Sequence, residues 1–233
     1  IEAWGSIWAK PSAAFLKSPA FEAHQGAVAV WLRLGELEAI SLHCEPFQKA
    51  ALKQLLPQLR ELTRVPFPDF CYELQDRCAA VGVAVVYVPE IEGARSSGAT
   101  RWLSPTKAIV QLSDRGKKSD RFWFAFFHEL GHVLLHGKRD IFVDDDKIGD
   151  DAESDQEKEA SDFARELLIP ATLASDLVRA QTQGDVVALA DRAGVSPAIV
   201  AGRIRHDRSD YTFCHGVDEH FEIGQIPKRP PGR

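Results

Sequence analysis

Residues 119–137 read SDRFWFAFFHELGHVLLHG, and this stretch decides the fold. The pattern predicts one helix from Ser119 to His136, with Gly137 as its C-cap. The first turns of that helix, FWFAFF at residues 122–127, are apolar on almost every side. A helix that is apolar all round is buried, so we expect the rest of the fold to pack around this one.

Residues 128–132 of this helix read HELGH, a spacing that is typical of a metal site. Positions i and i+4 of a helix lie on one face, so His128 and His132 can both reach one zinc ion at ~2.0–2.1 Å. Glu129 then lies beside the ion and can take a proton from water that the ion acidifies. The alternative is a pair of solvent-facing histidines. The buried turns before the motif argue against it, as does Gly131, which costs ~1 kcal/mol relative to alanine and therefore indicates close packing.

A zinc site of this kind needs a third protein ligand. His136 lies eight residues after the first histidine, ~12 Å along the helix axis, so one ion cannot bridge both. The next predicted helix, 157–168, has an apolar stripe that extends back to Glu157 and points its carboxylate into the same interior. Glu159 and Glu153 are alternatives, and all three carboxylates can instead be solvated groups favoured by the helix N-terminus. Two imidazoles and a carboxylate suit zinc, and manganese also.

Predicted helices and then predicted strands precede this helix in the chain. Periodicity predicts the helices and β-branched runs predict the strands. The predicted helices are 27–40, 45–64 and 69–80, and the predicted strands are 81–88, 100–103 and 107–112. Segment 144–157 is strongly acidic and is predicted to be a solvated loop. This order predicts an α+β fold, mostly helical, with a small mixed or antiparallel three-stranded sheet.

Composition narrows the class of protein. The chain has 233 residues, of which 45% are hydrophobic, and a formal net charge of −6, which opposes general binding to polyanions. Its four cysteines are irregularly spaced, which predicts free thiols and suits a reducing cytoplasm. No run of ~18 apolar residues and no signal peptide is visible, so we expect a cytoplasmic protein without a membrane span.

The two motif-bearing helices together resemble the ImmA/IrrE metallopeptidase-like family. The matching pieces are HELGHVLLHG at 128–137 and EKEASDFARELLIP at 157–170. A subgroup in which such a domain follows a helix-turn-helix DNA-binding domain, as in HigA-type antitoxin regulators, is more similar still. The pieces that resemble this subgroup are SGATRWLSP at 97–105, FWFAFFHELGH at 122–132 and WLRLGELEA at 31–39.

The resemblance implies a thermolysin-like zincin fold with His128, His132 and Glu157 as metal ligands and Glu129 as the general base. It also implies a zinc endopeptidase that cleaves a protein substrate, a transcriptional repressor or regulator, in a stress response. Ser161 departs from the Asn or Asp of many relatives, which weakens a hydrogen bond that supports the ligands.

We predict four parts along the chain, of which the last is a disordered tail. The tail is predicted because its final residues, IPKRPPGR at 226–233, have the composition of a disordered chain end. The parts are a leader and helix at 1–45, a zincin-like metallopeptidase domain at 46–180, a helical, helix-turn-helix-like extension at 181–222 and a disordered tail at 223–233.

The resemblance also suggests where a substrate binds. Zincins pair an extended peptide with an edge strand near the metal, and residues 107–112, KAIVQL, are the candidate strand. An ordinary interior strand is the alternative. Stabilisation of the developing oxyanion needs a Tyr, His or Arg near the metal. The C-terminal third offers His206, His215, His220 and Tyr211.

Residues 186–206, VVALADRAGVSPAIVAGRIRH, resemble a helix-turn-helix with Pro197 opening its second helix. Contact with DNA is one interpretation, and a helical hairpin packed on the core is the other. The hairpin is favoured because SPAIVA is poor in groups that read base edges. A rival function follows, a non-catalytic or weakly catalytic regulator or antitoxin module of a HigA-type DNA-binding protein. The expected partners are a protein substrate and, through a fused or C-terminal helix-turn-helix, DNA.

Overall fold

The computed structural model describes residues 19–137, 142–145 and 155–227. The helices in these ranges are α1 (Pro19–Ser41), α2 (Lys49–Glu61), α3 (Phe70–Ala79), α4 (Ser119–Leu135), α5 (Asp155–Leu168), α6 (Ala174–Arg179), α7 (Gln183–Ala193) and α8 (Pro197–Arg208). The strands are β1 (Val83–Tyr87), β2 (Ser96–Ser104), β3 (Lys107–Leu112) and β4 (Phe142–Asp145). Short 3₁₀ turns cover Leu62–Arg64, Arg115–Lys117, Ala171–Leu173, His215–Val217 and Ile223–Gln225.

The four strands form one mixed sheet in the order β1-β3-β2-β4. β1 runs parallel to β3, and β2 runs antiparallel to both β3 and β4. β2 and β3 are joined by a tight turn at Pro105, so they pair as a hairpin. The parallel pairing of β1 with β3 requires a crossover, which β2 supplies.

The two faces of the sheet are covered by different helices. Successive residues of a strand point to opposite faces. Val83 and Val85 of β1 belong to the main core, which also contains the apolar residues of α4. Ala84 and Val86 pack instead with Ala39 of α1. The sheet therefore lies between α1 and α4.

Helix α1 is attached to the face of the sheet opposite α4 by buried polar contacts as well as by packing. The indole Nε1 of Trp31 donates to the Val88 carbonyl at 3.1 Å, and Gln111 Nε2 donates to the Trp31 carbonyl at 2.7 Å. The buried guanidinium of Arg101 donates to Gln111 Oε1 at 3.2 Å and to the Leu32 carbonyl. These bonds satisfy polar groups that would otherwise be costly to bury.

Helix α4 is the centre of the inner layer, as its apolar first turns predict. Trp123, Phe126 and Phe127 are fully buried. The Phe122 ring stacks on Phe221 at 4.1 Å between centroids, so a residue far along the chain covers the start of α4. Helix α4 contacts β2, β3, α5 and α8, which cover most of its surface.

The fold class predicted from the sequence, a mostly helical α+β protein with a small mixed sheet, is confirmed. A fourth strand was not predicted: β4 overlaps the start of the acidic segment and pairs with β2, Val143 opposite Ala99. Residues 223–225, assigned to a disordered tail, form a 3₁₀ turn instead. The reason is that the Ile223 side chain is buried and its backbone N–H donates to the Asp114 carboxylate at 3.1 Å.

Within the described residues, no helix combines the length and the apolar character that crossing a membrane requires.

The α7–α8 hairpin shares the core of the rest of the fold. Val186 of α7 and Val200 and Ile204 of α8 belong to the same buried cluster as α4. The side chains of residues 198–201, which open the second helix, are all buried. This burial agrees with the interpretation of the segment as a helical hairpin packed on the core. The division of the chain at residue 180 stays a prediction.

Ile204→Ala tests the continuity of this core. Ile204 is 1% exposed, so its truncation should lower the free energy of unfolding by ~2–5 kcal/mol. In urea, the far-UV circular dichroism and tryptophan fluorescence transitions should shift together. Val187→Ala on the adjacent helix, at a side chain that is 40% exposed, is the control and should change stability by less than ~0.5 kcal/mol. A separate early transition of the C-terminal helices would contradict the shared core.

Candidate metal centre

Helix α4 brings two imidazoles together in the interior. The Nε2 atoms of His128 and His132 lie 3.0 Å apart, and their side chains are 7% and 1% exposed. Two neutral imidazoles cannot face each other with lone pairs at this distance without repulsion. A proton or a cation between them removes that repulsion.

Glu157 of α5 completes a triangle of donor atoms. Its Oε2 lies 3.0 Å from His128 Nε2 and 3.3 Å from His132 Nε2. Ligands at ~2.0–2.1 Å from a tetrahedral zinc ion are ~3.3 Å from one another. The three separations therefore fit three corners of a tetrahedron, and the three side chains can hold a metal ion.

The protonation states of these groups favour a cation. Burial acts to raise the pKa of the Glu157 carboxyl, but hydrogen bonds with His128 and His132 outweigh it and hold that pKa at about 2. Burial lowers the pKa of His132. At neutral pH the carboxylate is therefore ionised and the His132 imidazole is neutral, as binding to a divalent metal requires.

Close packing of α4 on α5 brings Glu157 within reach of the histidines. A Cβ built on Gly131 would lie 3.1 Å from the Ala160 Cα and 3.2 Å from the Phe163 ring. Any side chain at residue 131 would push α5 away by a few tenths of an ångström or distort it. The close approach expected over Gly131 is thus confirmed, and Glu157 lies one helical turn before Ala160.

Each histidine is contacted again at its other ring nitrogen. Ser161 Oγ lies 3.3 Å from His128 Nδ1, and His136 Nδ1 lies 2.9 Å from His132 Nδ1. The Ser161 contact is long for a hydrogen bond, in agreement with the weaker support expected at this position. His136 is not one of the three clustered donors, which agrees with its exclusion as a ligand. Its contact with His132 was not predicted, although the spacing of four residues is a signal for it.

Glu159 and Glu153 are the two alternatives to Glu157 as the third ligand. Glu159 faces His136, with 3.2 Å between its Oε2 and His136 Nε2, and is not among the three clustered donors. Glu153 lies outside the described residues.

Glu129 is fully buried between α4 and β2. A Cβ built on Gly98 would lie 2.6 Å from Glu129 Oε1, so the carboxylate packs directly against the glycine main chain. The Thr100 hydroxyl donates to the Glu129 carbonyl at 3.0 Å and ties this turn of α4 to β2. Sequence reasoning missed the role of Gly98, because the predicted strand began only at residue 100.

Residues 107–112, the candidate strand for substrate binding, do not form an edge strand, so that hypothesis was wrong and the alternative, an ordinary interior strand, is confirmed. It is β3, which pairs with β1 on one side and with β2 on the other. A short buried apolar run reads the same at the centre of a sheet as at its edge, so the sequence could not distinguish them.

The four residues considered for oxyanion stabilisation make contacts with other groups. His206, His215 and His220 pair with Asp207, Asp218 and Glu222, and Tyr211 is 62% exposed. None of the four is part of the cluster formed by His128, His132 and Glu157 among the residues that the structure describes.

Comparison with known proteins adds one finding to this geometry. The family model Peptidase_M78, described as the IrrE N-terminal-like domain, matches residues 78–205. This range is more than half of the chain and contains both helices of the candidate centre. No curated protein matches the chain.

Gly131→Ala should separate metal binding from folding. Alanine gains ~1 kcal/mol of helix propensity, which offsets part of the crowding against Ala160. Because α5 must shift, zinc affinity should fall about tenfold, measured by competition with a chromogenic chelator. Gly184→Ala is the control, since its Cβ would meet nothing closer than 3.6 Å. Unchanged zinc affinity in Gly131→Ala would show that the approach of the two helices does not determine the donor geometry.

Proposed function

Because the chain belongs to the Peptidase_M78 family of IrrE N-terminal-like domains, we propose that it is a zinc-dependent endopeptidase that cleaves a protein substrate. The observation that carries this proposal is the meeting of three buried donors, His128, His132 and Glu157, at separations of 3.0–3.3 Å. A second carboxylate, Glu129, follows the first histidine directly and is itself buried.

The donor set fits a zinc ion, and His128, His132 and Glu157 would be its ligands. Zinc bound there supplies a Lewis acid that acidifies water and polarises the scissile carbonyl. Glu129 is the general base: its carboxylate accepts a proton from the attacking water and returns it to the leaving amide nitrogen. The Gly98 main chain and the hydrogen bond from Thr100 hold Glu129 in one orientation.

The substrate we propose is a transcriptional repressor or another regulator. The support is the resemblance of residues 128–137 and 157–170 to the ImmA/IrrE family, in which such domains cleave repressors. The four cysteines are all free thiols, which is what a reducing cytoplasm favours, and we propose that the protein acts there.

The alternative is a regulator or antitoxin module that binds a partner or DNA without turnover. It is supported by the resemblance of residues 31–39 and 97–105 to the HigA-type subgroup. Burial of residues 198–201 is an argument against DNA contact through the start of α8. Measurements of zinc content and of peptide cleavage on the same preparation of the protein distinguish the two functions.

Glu129→Gln keeps the size of the side chain but removes the base. Peptide cleavage should fall by about 10²–10⁴-fold, while zinc binding is retained because the three donors are unchanged. Cleavage is measured by mass spectrometry of new termini in a peptide library, and zinc by elemental analysis. The control is Glu61→Gln, at an exposed residue that ends α2. Full activity of the Glu129→Gln variant, or an unmodified chain that binds no zinc, contradicts the proposed enzyme. An unmodified chain that binds zinc but cleaves no peptide favours the regulator.

Gly98→Ala should reduce cleavage without removing the metal. The added methyl group meets the Glu129 carboxylate at 2.6 Å and forces it to turn. Since a misplacement of ~1 Å can cost about 10²-fold in rate, cleavage should fall on that order while zinc affinity stays the same. Gly26→Ala on α1, where a Cβ meets nothing within 4 Å, is the matched control. Full activity of Gly98→Ala would mean that the position of the Glu129 carboxylate does not matter for the reaction.

A further inference from the structure

A chain of contacts leads from the candidate metal centre to the protein surface. His132 Nδ1 lies 2.9 Å from His136 Nδ1, and His136 Nε2 lies 3.2 Å from Glu159 Oε2. The side chains become more exposed along this chain, from 1% at His132 to 4% at His136 and 63% at Glu159. The proposed function does not use the last two residues.

The hydrogen bonds in this chain can run in only one direction when Nε2 of His132 binds a metal. The neutral imidazole then carries its proton on Nδ1 and donates it to His136 Nδ1. His136 must accept at Nδ1, so its own proton lies on Nε2, where it donates to the Glu159 carboxylate. The chain thus ends on a group that only accepts.

The backbone holds His136 in place for this role. His136 is the C-cap of α4, and its N–H donates to the His132 carbonyl at 3.1 Å. The main chain therefore joins the same two residues as the side-chain contact does. Glu159 comes from α5, two residues after the ligand Glu157, so one helix supplies both a donor to the metal and the terminal acceptor.

We propose that His136 and Glu159 are positioning residues that fix the tautomer and ring orientation of His132 and so strengthen metal binding. This inference rests on the proposed function, because it requires a metal at His132. A carboxylate behind a metal-bound histidine raises the basicity of the ligand, and its loss commonly costs 10–100-fold in metal affinity. Here the His136 imidazole transmits the effect of the Glu159 carboxylate to the ligand His132.

The test is the zinc affinity of five variants of the full chain, measured by chelator competition. His136→Leu removes the acceptor and should weaken zinc binding at least about tenfold. His136→Asn is the conservative variant, because its Oδ1 stands where Nδ1 stood and can still accept from His132. It should recover part of the loss, although it cannot reach Glu159.

Glu159→Gln should weaken zinc binding in the unmodified chain, and by less than His136→Leu does, because Glu159 is exposed and screened by salt. In the His136→Asn background the same change should have no effect, since the link between the two residues is already broken. The double variant Lys158→Gln with Glu159→Gln restores the local net charge. Its affinity should remain as low as that of Glu159→Gln if the contact, and not the charge, is responsible.

A spectroscopic measurement separates positioning from general stability. In zinc-loaded protein the Nδ1–H of His132 should give a downfield proton NMR signal that exchanges slowly. The signal should persist in His136→Asn and disappear in His136→Leu, even if both variants unfold at the same urea concentration.

The outcomes distinguish this inference from the proposed function. A chain that binds zinc and cleaves peptides, with zinc affinity unchanged in His136→Leu, overturns the positioning role alone. Equal effects of Glu159→Gln in both backgrounds overturn the relay through His136. A chain that binds no zinc overturns both the proposed function and this inference.

Discussion

Contact between α4 and α5 at Gly131 and Ala160 determines the geometry of the candidate centre. Without a side chain at residue 131, the two helices approach until a hypothetical Cβ would be 3.1 Å from the Ala160 main chain. Glu157 lies one turn earlier on α5, so the same approach sets the distance from its carboxylate to His128 and His132. A small-residue contact between two helices is therefore as necessary to the site as the donors themselves.

Electrostatics make the same site suitable for a cation. Glu129 and Glu157 place two carboxylates beside an aromatic core, and the effective cost of taking a charged group out of water is several kcal/mol per ion. A divalent ion bound there would offset the charge of the Glu157 carboxylate, whose pKa is held at about 2. The neutral form of His132, favoured by its burial, adds no further charge. An ion that binds these donors in the folded chain and not in the unfolded one would therefore stabilise the fold.

Local patterns in the sequence predicted much of this structure. The all-round apolar run at 122–127 indicated a buried central helix, and the spacing of HELGH indicated which side chains share a face. The apolar stripe of α5 singled out Glu157 over Glu159, because a stripe reports which face is buried. These are properties of single helices, which periodicity describes well.

Features that depend on pairing between distant segments could not be predicted in the same way. The run at 107–112 indicated a buried strand but not its neighbours, so the sequence left open whether it lies at the edge or inside the sheet. β4 carries two aspartates that read as loop, yet it pairs with β2. The contact of Glu129 with Gly98 joins a helix to a strand, and no period in either segment reports it.

That contact also limits what an HExxH motif can mean by itself. The main chain of Gly98 packs against the Glu129 carboxylate, although the two residues are thirty-one positions apart in the chain. A homologue could retain every letter of the motif, yet carry a bulky side chain at the equivalent of Gly98 and leave no space for the glutamate carboxylate. Homologues in which this carboxylate is displaced should therefore be recognisable from this strand position, whereas a survey of the motif alone would not distinguish them.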